Sequence, residues 1–375
     1  MTKIAFCLSF LSLSWANLAA QTAENRWVDS VYNSLSDTGR IGQLFMIRAH
    51  SNLGADHIAR VEEQIRRFQV GGLCFFQGTP EKQAELTNQY QKLTKTPLFI
   101  SMDAEWGLNM RLKEGTITFP KQLMLGAIQD NALIYHFGEA IGKECKRLGV
   151  HINFAPDADV NNNPKNPVIN DRSFGEDKYN VAAKAFAYMK GMQDNGVMAC
   201  AKHFPGHGDV SVDSHFDLPV INHDLAHLSA LELFPFRILS QYGVGSFMIG
   251  HLQVNAIDST PNTPTSISKS AVHDLLRTKI GYDGLIFTDG MEMEGIVKYY
   301  PNGEASARAI EAGNDMVLVP KNLEEGFASI QKSIAEGKID PKEMEKSVRR
   351  ILHAKFQYGL NTPQYVEVEI GRAHV

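Results

Sequence analysis

Short apolar runs rich in β-forming residues recur along the chain, each followed by a polar turn and a longer segment with apolar residues three and four positions apart. Such runs are typical of buried strands, and the longer spacing is typical of helices packed on one face. The runs predict strands at 43–48, 71–75, 98–102, 151–155, 198–202, 246–250, 285–288 and 316–319. The longer segments predict helices at 56–68, 81–93, 131–148, 178–194, 224–242, 269–279, 323–336 and 341–358.

This alternation restricts the fold. Strands separated by helices pair in parallel, and eight such units are typical of a closed (β/α)8 barrel. A doubly wound open sheet is the alternative, but no Gly-x-Gly-x-x-Gly sequence follows an early strand to support it. We therefore predict an α/β protein in which residues 21–361 form a single TIM-type barrel domain, with the last two helices packed outside the barrel.

The bulk composition is that of an ordinary globular protein. Of the 375 residues, 43% are hydrophobic and 21% are charged, and the formal net charge is −5. These values suit a large buried core. No run of Lys and Arg is interleaved with aromatic residues, so we expect no nucleic-acid partner.

Residues 1–20 have the pattern of a secretory signal. Lys3 gives a positive start, 4–13 is mostly apolar, and small residues precede Gln21. The apolar run is too short to span a bilayer, so we expect an exported protein that is periplasmic or secreted. A lipid anchor on Cys7 is the alternative, but just three residues separate it from Lys3.

After cleavage at that site three cysteines remain, Cys74, Cys145 and Cys200. An odd number cannot all pair within one chain, and no Cys-x-x-Cys occurs. Cys74 and Cys200 lie in apolar runs, where a buried free thiol is the expected state.

The tail, 362–375, continues no element, and its last seven residues match the translation of a common sequencing-adapter stretch. We hypothesise that these residues are not native and that further domains of the natural protein are missing. Reassembly of the source locus with a stop codon directly after Val375 would overturn this hypothesis.

Polar and ionisable side chains gather directly after the predicted strands. In a barrel these positions form the C-terminal face, where such proteins build their sites. The residues, in strand order, are Asp103, Asp157 and Asp159, Lys202 and His203, His251, and Asp289.

The densest segment, 202–215, contains His203, His207 and His215 together with Asp209 and Asp213. Three His and two Asp amid Gly and Pro are typical of a functional loop. A zinc site made by the three histidines with Asp209 or Asp213 is one interpretation. Its spacing matches no familiar zinc signature such as His-Glu-x-x-His.

Several motifs carry a family resemblance. Lys-His-Phe-Pro-Gly-His-Gly at 202–208, with Asp-Ser-His at 213–215, resembles the signature of family 3 glycoside hydrolases, in the β-N-acetylglucosaminidase branch. The resemblance covers residues 38 to 358. Further landmarks agree in order: Asn-Phe-Ala-Pro at 153–156, Asp-Val-Asn at 159–161, Arg-Ser-Phe-Gly at 172–175 and Phe-Thr-Asp at 287–289.

The resemblance implies a retaining hydrolase of β-linked N-acetylglucosamine that needs neither cofactor nor metal. Asp289 matches the nucleophile that forms a covalent glycosyl-enzyme. His215 matches the general acid/base, assisted by Asp213. A carboxylate on one ring nitrogen fixes the tautomer, so the other nitrogen can transfer the proton.

Sugar binding is assigned by the same resemblance to Asp103, Arg111, Arg172, Lys202 and His203. For Arg172 the alternative is a structural salt bridge to Asp171 or Asp177. His251 is equally compatible with lining the site and with packing at a strand end.

The sequence departs from the family pattern at 103–108, which reads Asp-Ala-Glu-Trp-Gly-Leu where the branch usually has Asp-Gln-Glu-Gly-Gly-Arg. Trp106 is either a stacking platform for a sugar or a residue packed under the loop. Gly290 follows Asp289 where a second Asp is common. The leaving group therefore stays open, as do three other readings: a family 3 β-glucosidase, phosphorolysis, and a non-catalytic sugar-binding barrel.

Overall fold

A computed structural model of the protein describes residues 23–301 and 303–368. The predicted signal segment, 1–20, and the suspected adapter residues, 369–375, lie outside the described residues. Within the described ranges, no helix is both long and apolar enough to cross a membrane.

Eight parallel strands form the central sheet, and each coincides with one of the apolar runs of the sequence. Two further strands, β6 and β8, form a separate parallel pair. In chain order the strands are β1 (Phe45–Ala49), β2 (Gly72–Phe75), β3 (Phe99–Met102), β4 (Ile152–Asn153), β5 (Met198–Phe204), β6 (Val220–Ile221), β7 (Ser246–Ile249), β8 (Gln253–Val254), β9 (Leu285–Thr288) and β10 (Val317–Leu318).

The sheet closes on itself. Its strand order is β10-β1-β2-β3-β4-β5-β7-β9, with every pairing parallel. A bridge between Phe287 and Met316 joins the two ends, and the Thr288 amide donates to the Met316 carbonyl at 3.1 Å. The predicted (β/α)8 barrel is therefore confirmed.

The helices are α1 (23–34), α2 (Asp37–Gly42), α3 (Ala55–Phe68), α4 (Pro80–Gln91), α5 (Gln122–Gly126), α6 (Asn131–Arg147), α7 (Lys178–Asp194), α8 (Leu225–Ala230), α9 (Leu233–Gln241), α10 (Glu294–Val297), α11 (Glu304–Ala312), α12 (Leu323–Ala335) and α13 (Pro341–Gln357). The helices α3, α4, α6, α7, α12 and α13 lie where the periodicity predicts them, whereas α1, α2, α5, α10 and α11 were not predicted. A π-helix covers Ser270–Lys279, at the position of the predicted helix 269–279.

The prediction of a single helix at 224–242 is wrong, because two separate helices, α8 and α9, cover this segment. Pro235 lies in the first turn of α9. A proline lacks the backbone N–H that a helix interior needs but is tolerated in a first turn, so a new helix begins just before it.

Cys74 and Cys200 are free and buried, as predicted, and Cys145 is free and buried as well. Burial raises the pKa of the Cys200 thiol to about 12. A thiol that stays protonated is a poor nucleophile and a poor metal ligand, so Cys200 acts as a small core residue.

Close packing of α2 against the end of α3 requires a residue without a side chain. A Cβ on Gly42 would lie 1.8 Å from the Phe68 carbonyl oxygen. We expect Gly42→Ala to lower the free energy of unfolding by about 1–3 kcal/mol, because either helix must shift to relieve the overlap. Urea denaturation measures the change.

Gly54→Ala is the matched control, since a Cβ at Gly54 would meet no atom within 4 Å. Its stability should stay within about 0.5 kcal/mol of the wild type. Equal losses in the two variants would contradict the packing argument.

Candidate active site

One cavity of about 290 Å³ opens at the C-terminal ends of the strands. Seven of the eight residues predicted for the site line it, and the eighth, Asp213, contacts His215 from outside the lining. The lining consists of Asp103, Glu105, Met110, Arg111, Val168, Arg172, Lys202, His203, His207, Ser214, His215, Met248 and Asp289.

Lys202 is the central cation of the cavity. It lies at the end of β5, where the register with β7 shifts between Ala201 and Phe204. Irregularities of this kind re-aim side chains at the end of a strand. The Lys202 ammonium donates to Asp103 Oδ1 at 2.9 Å and lies 2.7 Å from Glu105 Oε1.

Asp103 is held by two cations. Besides Lys202, Arg111 Nη2 donates to Asp103 Oδ2 at 2.6 Å. Burial alone would raise the pKa of Asp103, but the charges of Lys202 and Arg111 outweigh it and hold that pKa well below its usual range. Asp103 is therefore an ionised acceptor at the cavity wall.

Glu105 is fully buried and forms a bidentate pair with Arg172. Arg172 Nε and Nη2 donate to the two Glu105 carboxylate oxygens at 3.0 and 2.8 Å. Burial would raise the pKa of Glu105, but Arg172 and Lys202 lower it further than burial raises it. Such planar, charge-assisted pairs fix orientation as well as charge.

The alternative partners of Arg172 are engaged elsewhere. Asp171 pairs with Lys121 at 2.5 Å, and the Asp177 side chain caps the N-terminus of α7. The alternative of a salt bridge to Asp171 or Asp177 is therefore wrong, because Arg172 pairs with Glu105 instead.

His203 has a defined tautomer because Asp159 fixes it. Asp159 Oδ2 lies 2.8 Å from His203 Nδ1, and a carboxylate can only accept, so Nδ1 carries the proton. His203 Nε2 lies 3.3 Å from Arg172 Nη2, which can only donate. Asp159 also accepts from the His207 amide at 2.6 Å and thereby holds the loop that follows β5.

Asp157 differs from its neighbour Asp159. Burial and the Asp159 charge raise the pKa of Asp157 well above its usual value, whereas the pKa of Asp159, which burial alone would raise, is lowered, chiefly by the hydrogen bond with His203. Asp157, Asp159 and His203 are close enough to hold a metal ion. The proton on His203 Nδ1 and the nearby Arg172 guanidinium both oppose a cation there.

The five residues of the zinc interpretation do not converge on one point. Asp209 contacts His223, Asp213 contacts His215, and the His207 Nε2 contacts the Ser214 hydroxyl at 3.0 Å. Burial lowers the pKa of His207 to about 4, so its ring is neutral. His203, His207 and His215 all line the cavity, but of these three only His215 is exposed.

His215 and Asp213 form a local pair on the loop between β5 and β6. Asp213 Oδ1 accepts from the His215 amide at 2.8 Å and lies 2.7 Å from His215 Nδ1. The proton therefore lies on Nδ1, and Nε2 is the nitrogen left to act on a bound molecule. The His215 side chain is 57% exposed.

Asp289 follows β9 and is half-buried. Its Oδ1 accepts from the Gly290 amide at 2.7 Å, and its own amide donates to the Ile249 carbonyl at 2.9 Å. Burial would raise the pKa of Asp289, but His203, His251 and the Gly290 amide together lower it below its usual value. The group is a carboxylate fixed at a strand end.

His251 supports Asp289 from behind and does not line the cavity. It is buried, with Nδ1 2.7 Å from the Ser266 hydroxyl and Nε2 3.0 Å from the Gly290 carbonyl. Trp106 also stays outside the lining, with the Lys121 ammonium 4.9 Å from the centre of its ring. Trp106 is half-buried, and both of its interpretations stay predictions.

Six lining residues were not predicted as catalytic or sugar-binding residues, although His207 was part of the zinc interpretation. Glu105 had a signal, because it follows Asp103 by two positions at a strand end. Met248 lies inside β7 and Met110 in a short 3₁₀ turn, and neither carries a chemical signal. The missed residues are Glu105, Met110, Val168, His207, Ser214 and Met248.

Comparison with known proteins agrees with this architecture. The family described as glycosyl hydrolase family 3 N terminal domain matches residues 38–354. The chain is 33% identical over 326 residues to a beta-hexosaminidase A of Pseudoalteromonas piscicida, with 79% of this chain and 54% of that protein covered.

Two further proteins are similar. A beta-N-acetylglucosaminidase/beta-glucosidase of Cellulomonas fimi is 29% identical, with 89% of this chain and 60% of that protein covered. The structure of a glycoside hydrolase family 3 beta-N-acetylglucosaminidase from Paenibacillus sp. superposes with a TM-score of 0.84 at 35% identity, covering 89% of this chain and 65% of that one. The chain thus spans between about half and two thirds of the length of these proteins.

Removing Arg172 would leave Glu105 buried with Lys202 as its remaining cation. We expect Arg172→Ala to lower the free energy of unfolding by about 3–5 kcal/mol at pH 7. Because the folded-state pKa of Glu105 lies below the ordinary value of 4.5, this stabilisation is present above that pH and is lost as the pH falls below it. Denaturant melts at pH 7 and in acid measure both effects.

Lys143→Ala is the control, because Lys143 forms an exposed pair with Glu139. Its loss should stay below about 1 kcal/mol at either pH. An Arg172→Ala loss as small as this would contradict the proposed burial cost.

Proposed function

Because this chain belongs to glycosyl hydrolase family 3, we propose that it is a retaining hydrolase that releases β-linked N-acetylglucosamine from the non-reducing end of amino-sugar chains. The observation that carries the proposal is the joint presence of Asp289 and His215 in the wall of one cavity. The names of the similar proteins support the choice of sugar.

Asp289 is proposed as the nucleophile. A carboxylate attacks an anomeric carbon only when ionised, and its pKa is lowered. The hydrogen bond from Gly290 occupies Oδ1, so Oδ2 is the oxygen free to form the bond to the sugar. Attachment to a strand end holds this oxygen in place during both displacements.

His215 is proposed as the general acid/base in place of the second carboxylate that most glycosidases use. In the first step the imidazolium donates the Nε2 proton to the leaving oxygen, and Asp213 stabilises the positive ring. In the second step the neutral ring takes a proton from water, which attacks the glycosyl–Asp289 ester. Asp213 acts by positioning His215.

The ionic side chains of the opposite wall are proposed to bind the sugar. Asp103 accepts from hydroxyl groups, while Arg111, Lys202 and Arg172 donate to them, and His203 is held in one tautomer by Asp159. A rigid set of donors and acceptors orients the anomeric carbon toward Asp289.

Kinetics on a chromogenic β-N-acetylglucosaminide test both roles. Asp289→Asn should lower kcat by more than about 10³-fold, since the amide cannot form the ester. His215→Ala should lower kcat by about 10²–10⁴-fold on a poor leaving group and much less on an activated one that departs without a proton. His136→Ala, on the exposed face of α6, is the control and should leave kcat unchanged.

The same assay separates the alternatives. Faster turnover of the matching β-glucoside would favour a β-glucosidase, and sugar phosphate formed in phosphate buffer would indicate phosphorolysis. Folded wild-type protein that binds the sugar without turnover would overturn the enzyme proposal in favour of a binding barrel.

We further propose that the protein is exported and acts on cell-wall fragments in the periplasm or on amino sugars outside the cell. The positive start, apolar run and small residues of 1–20 support export.

Expression of the full sequence in a bacterial host, followed by fractionation and N-terminal sequencing, tests export. We expect a periplasmic or secreted product that begins at Gln21. A variant lacking residues 2–20 should stay in the cytoplasm. A full-length product retained in the cytoplasm with residues 1–20 intact would contradict the proposal.

A further inference from the structure

A second cluster of ionisable side chains lies behind the loop that carries His215. It comprises Asp209, His223, His227 and Glu232, and none of the four lines the cavity of the candidate active site. His223 Nε2 contacts Asp209 Oδ2, and His227 Nε2 lies 3.2 Å from Glu232 Oε1. The ligand atoms of His223, His227 and Glu232 all lie within 4.8 Å of one another.

Glu232 is the unusual member of this cluster, because its side chain is 1% exposed. Among the described residues, neither of its carboxylate oxygens receives a hydrogen bond, and His227 Nε2 has no hydrogen-bond partner either. Gly206 packs directly on Glu232, since a Cβ there would lie 2.7 Å from the Glu232 Cβ. A buried carboxylate in this position needs a positive partner.

His223 and His227 supply the two nitrogen ligands of this cluster. The rings of His223 and His227 stack with their centroids 3.9 Å apart and their planes 17° from parallel. A cation between the ligand atoms of His223, His227 and Glu232 would supply that positive partner.

We propose that His223, His227 and Glu232 bind one divalent cation of the zinc class, with Asp209 orienting the ring of His223. Imidazole nitrogen and carboxylate oxygen are both zinc ligands in proteins, and three protein ligands leave the fourth tetrahedral position to water. The carboxylates of Asp209 and Glu232 balance the two charges of the ion, so the site is electrically neutral and suits a partly buried position. Soft thiolate ligands do not contribute, which disfavours copper(I).

Such an ion would tie together the elements that support the loop of His215. Asp209 lies in the loop after β5, His223 directly precedes the N-cap of α8, His227 lies in the first turn of α8, and Glu232 directly precedes α9. The cation is thus a positioning element and takes no part in bond cleavage. Its binding does not depend on the sugar specificity proposed above.

Zinc binding tests the proposal directly. Metal-free protein is titrated with zinc chloride by calorimetry, and bound zinc is counted by atomic emission. The wild type should bind one equivalent, and His223→Ala and His227→Ala should each weaken binding by more than about 100-fold, since each removes a ligand. His273→Ala, an exposed histidine beside Asp274, should bind zinc as the wild type does.

Thermal unfolding provides a second readout that does not involve activity. Zinc should raise the unfolding temperature of the wild type and of His273→Ala, and should not raise that of His223→Ala. Because the His223 side chain is 37% exposed, its removal should not prevent folding, and this variant decides the case if His227→Ala does not fold.

X-ray absorption of the zinc-loaded wild type should show two imidazole ligands. No zinc uptake, or equal affinity in the wild type and in His223→Ala, would overturn the proposal, because any bound zinc would then lie elsewhere. Loss of glycosidase activity with intact zinc binding would count against the proposed function alone.

Discussion

Compensation of buried charge is the constraint on which the site depends. Asp103 and Glu105 follow β3, and Lys202 lies near the end of β5. The ammonium of Lys202 lies within 3 Å of both carboxylates. Arg111 and Arg172 complete the network. Charges withdrawn from water in this way are tolerated only while every partner is in place, so the network requires the barrel to be closed and in register.

The fold could be read from the sequence because its signals are local. Apolar runs alternate with helical periodicity throughout the chain, and this alternation carries the barrel. The polar residues that follow the strands also predicted the face of the barrel on which the cavity opens. The pairing of Arg172 with Glu105 was not accessible, because 67 residues separate them and only barrel closure brings them together. Met248 was inaccessible for another reason, since an apolar residue inside a strand looks the same whether it faces the core or a cavity.

The two proposed catalytic groups differ in how they are held. Asp289 is fixed by its strand, by the Gly290 amide and by His251 behind it. His215 is held by Asp213 on a loop, and most of its side chain is exposed. A nucleophile must meet one carbon in both steps, whereas an acid/base must serve a departing group and then a water molecule. The half-buried placement of Asp289 and the exposed placement of His215 suit these two tasks.

The small sheet of β6 and β8 joins the loop after β5 to the loop after β7 outside the barrel. Together with the Asp159 contact to the His207 amide, it fixes both ends of the segment that carries Asp213 and His215. Changes in the length of this segment can therefore accumulate without disturbing the barrel beneath it. Evolution of leaving-group preference, or a laboratory library aimed at it, has a bounded stretch of about ten residues in which to work.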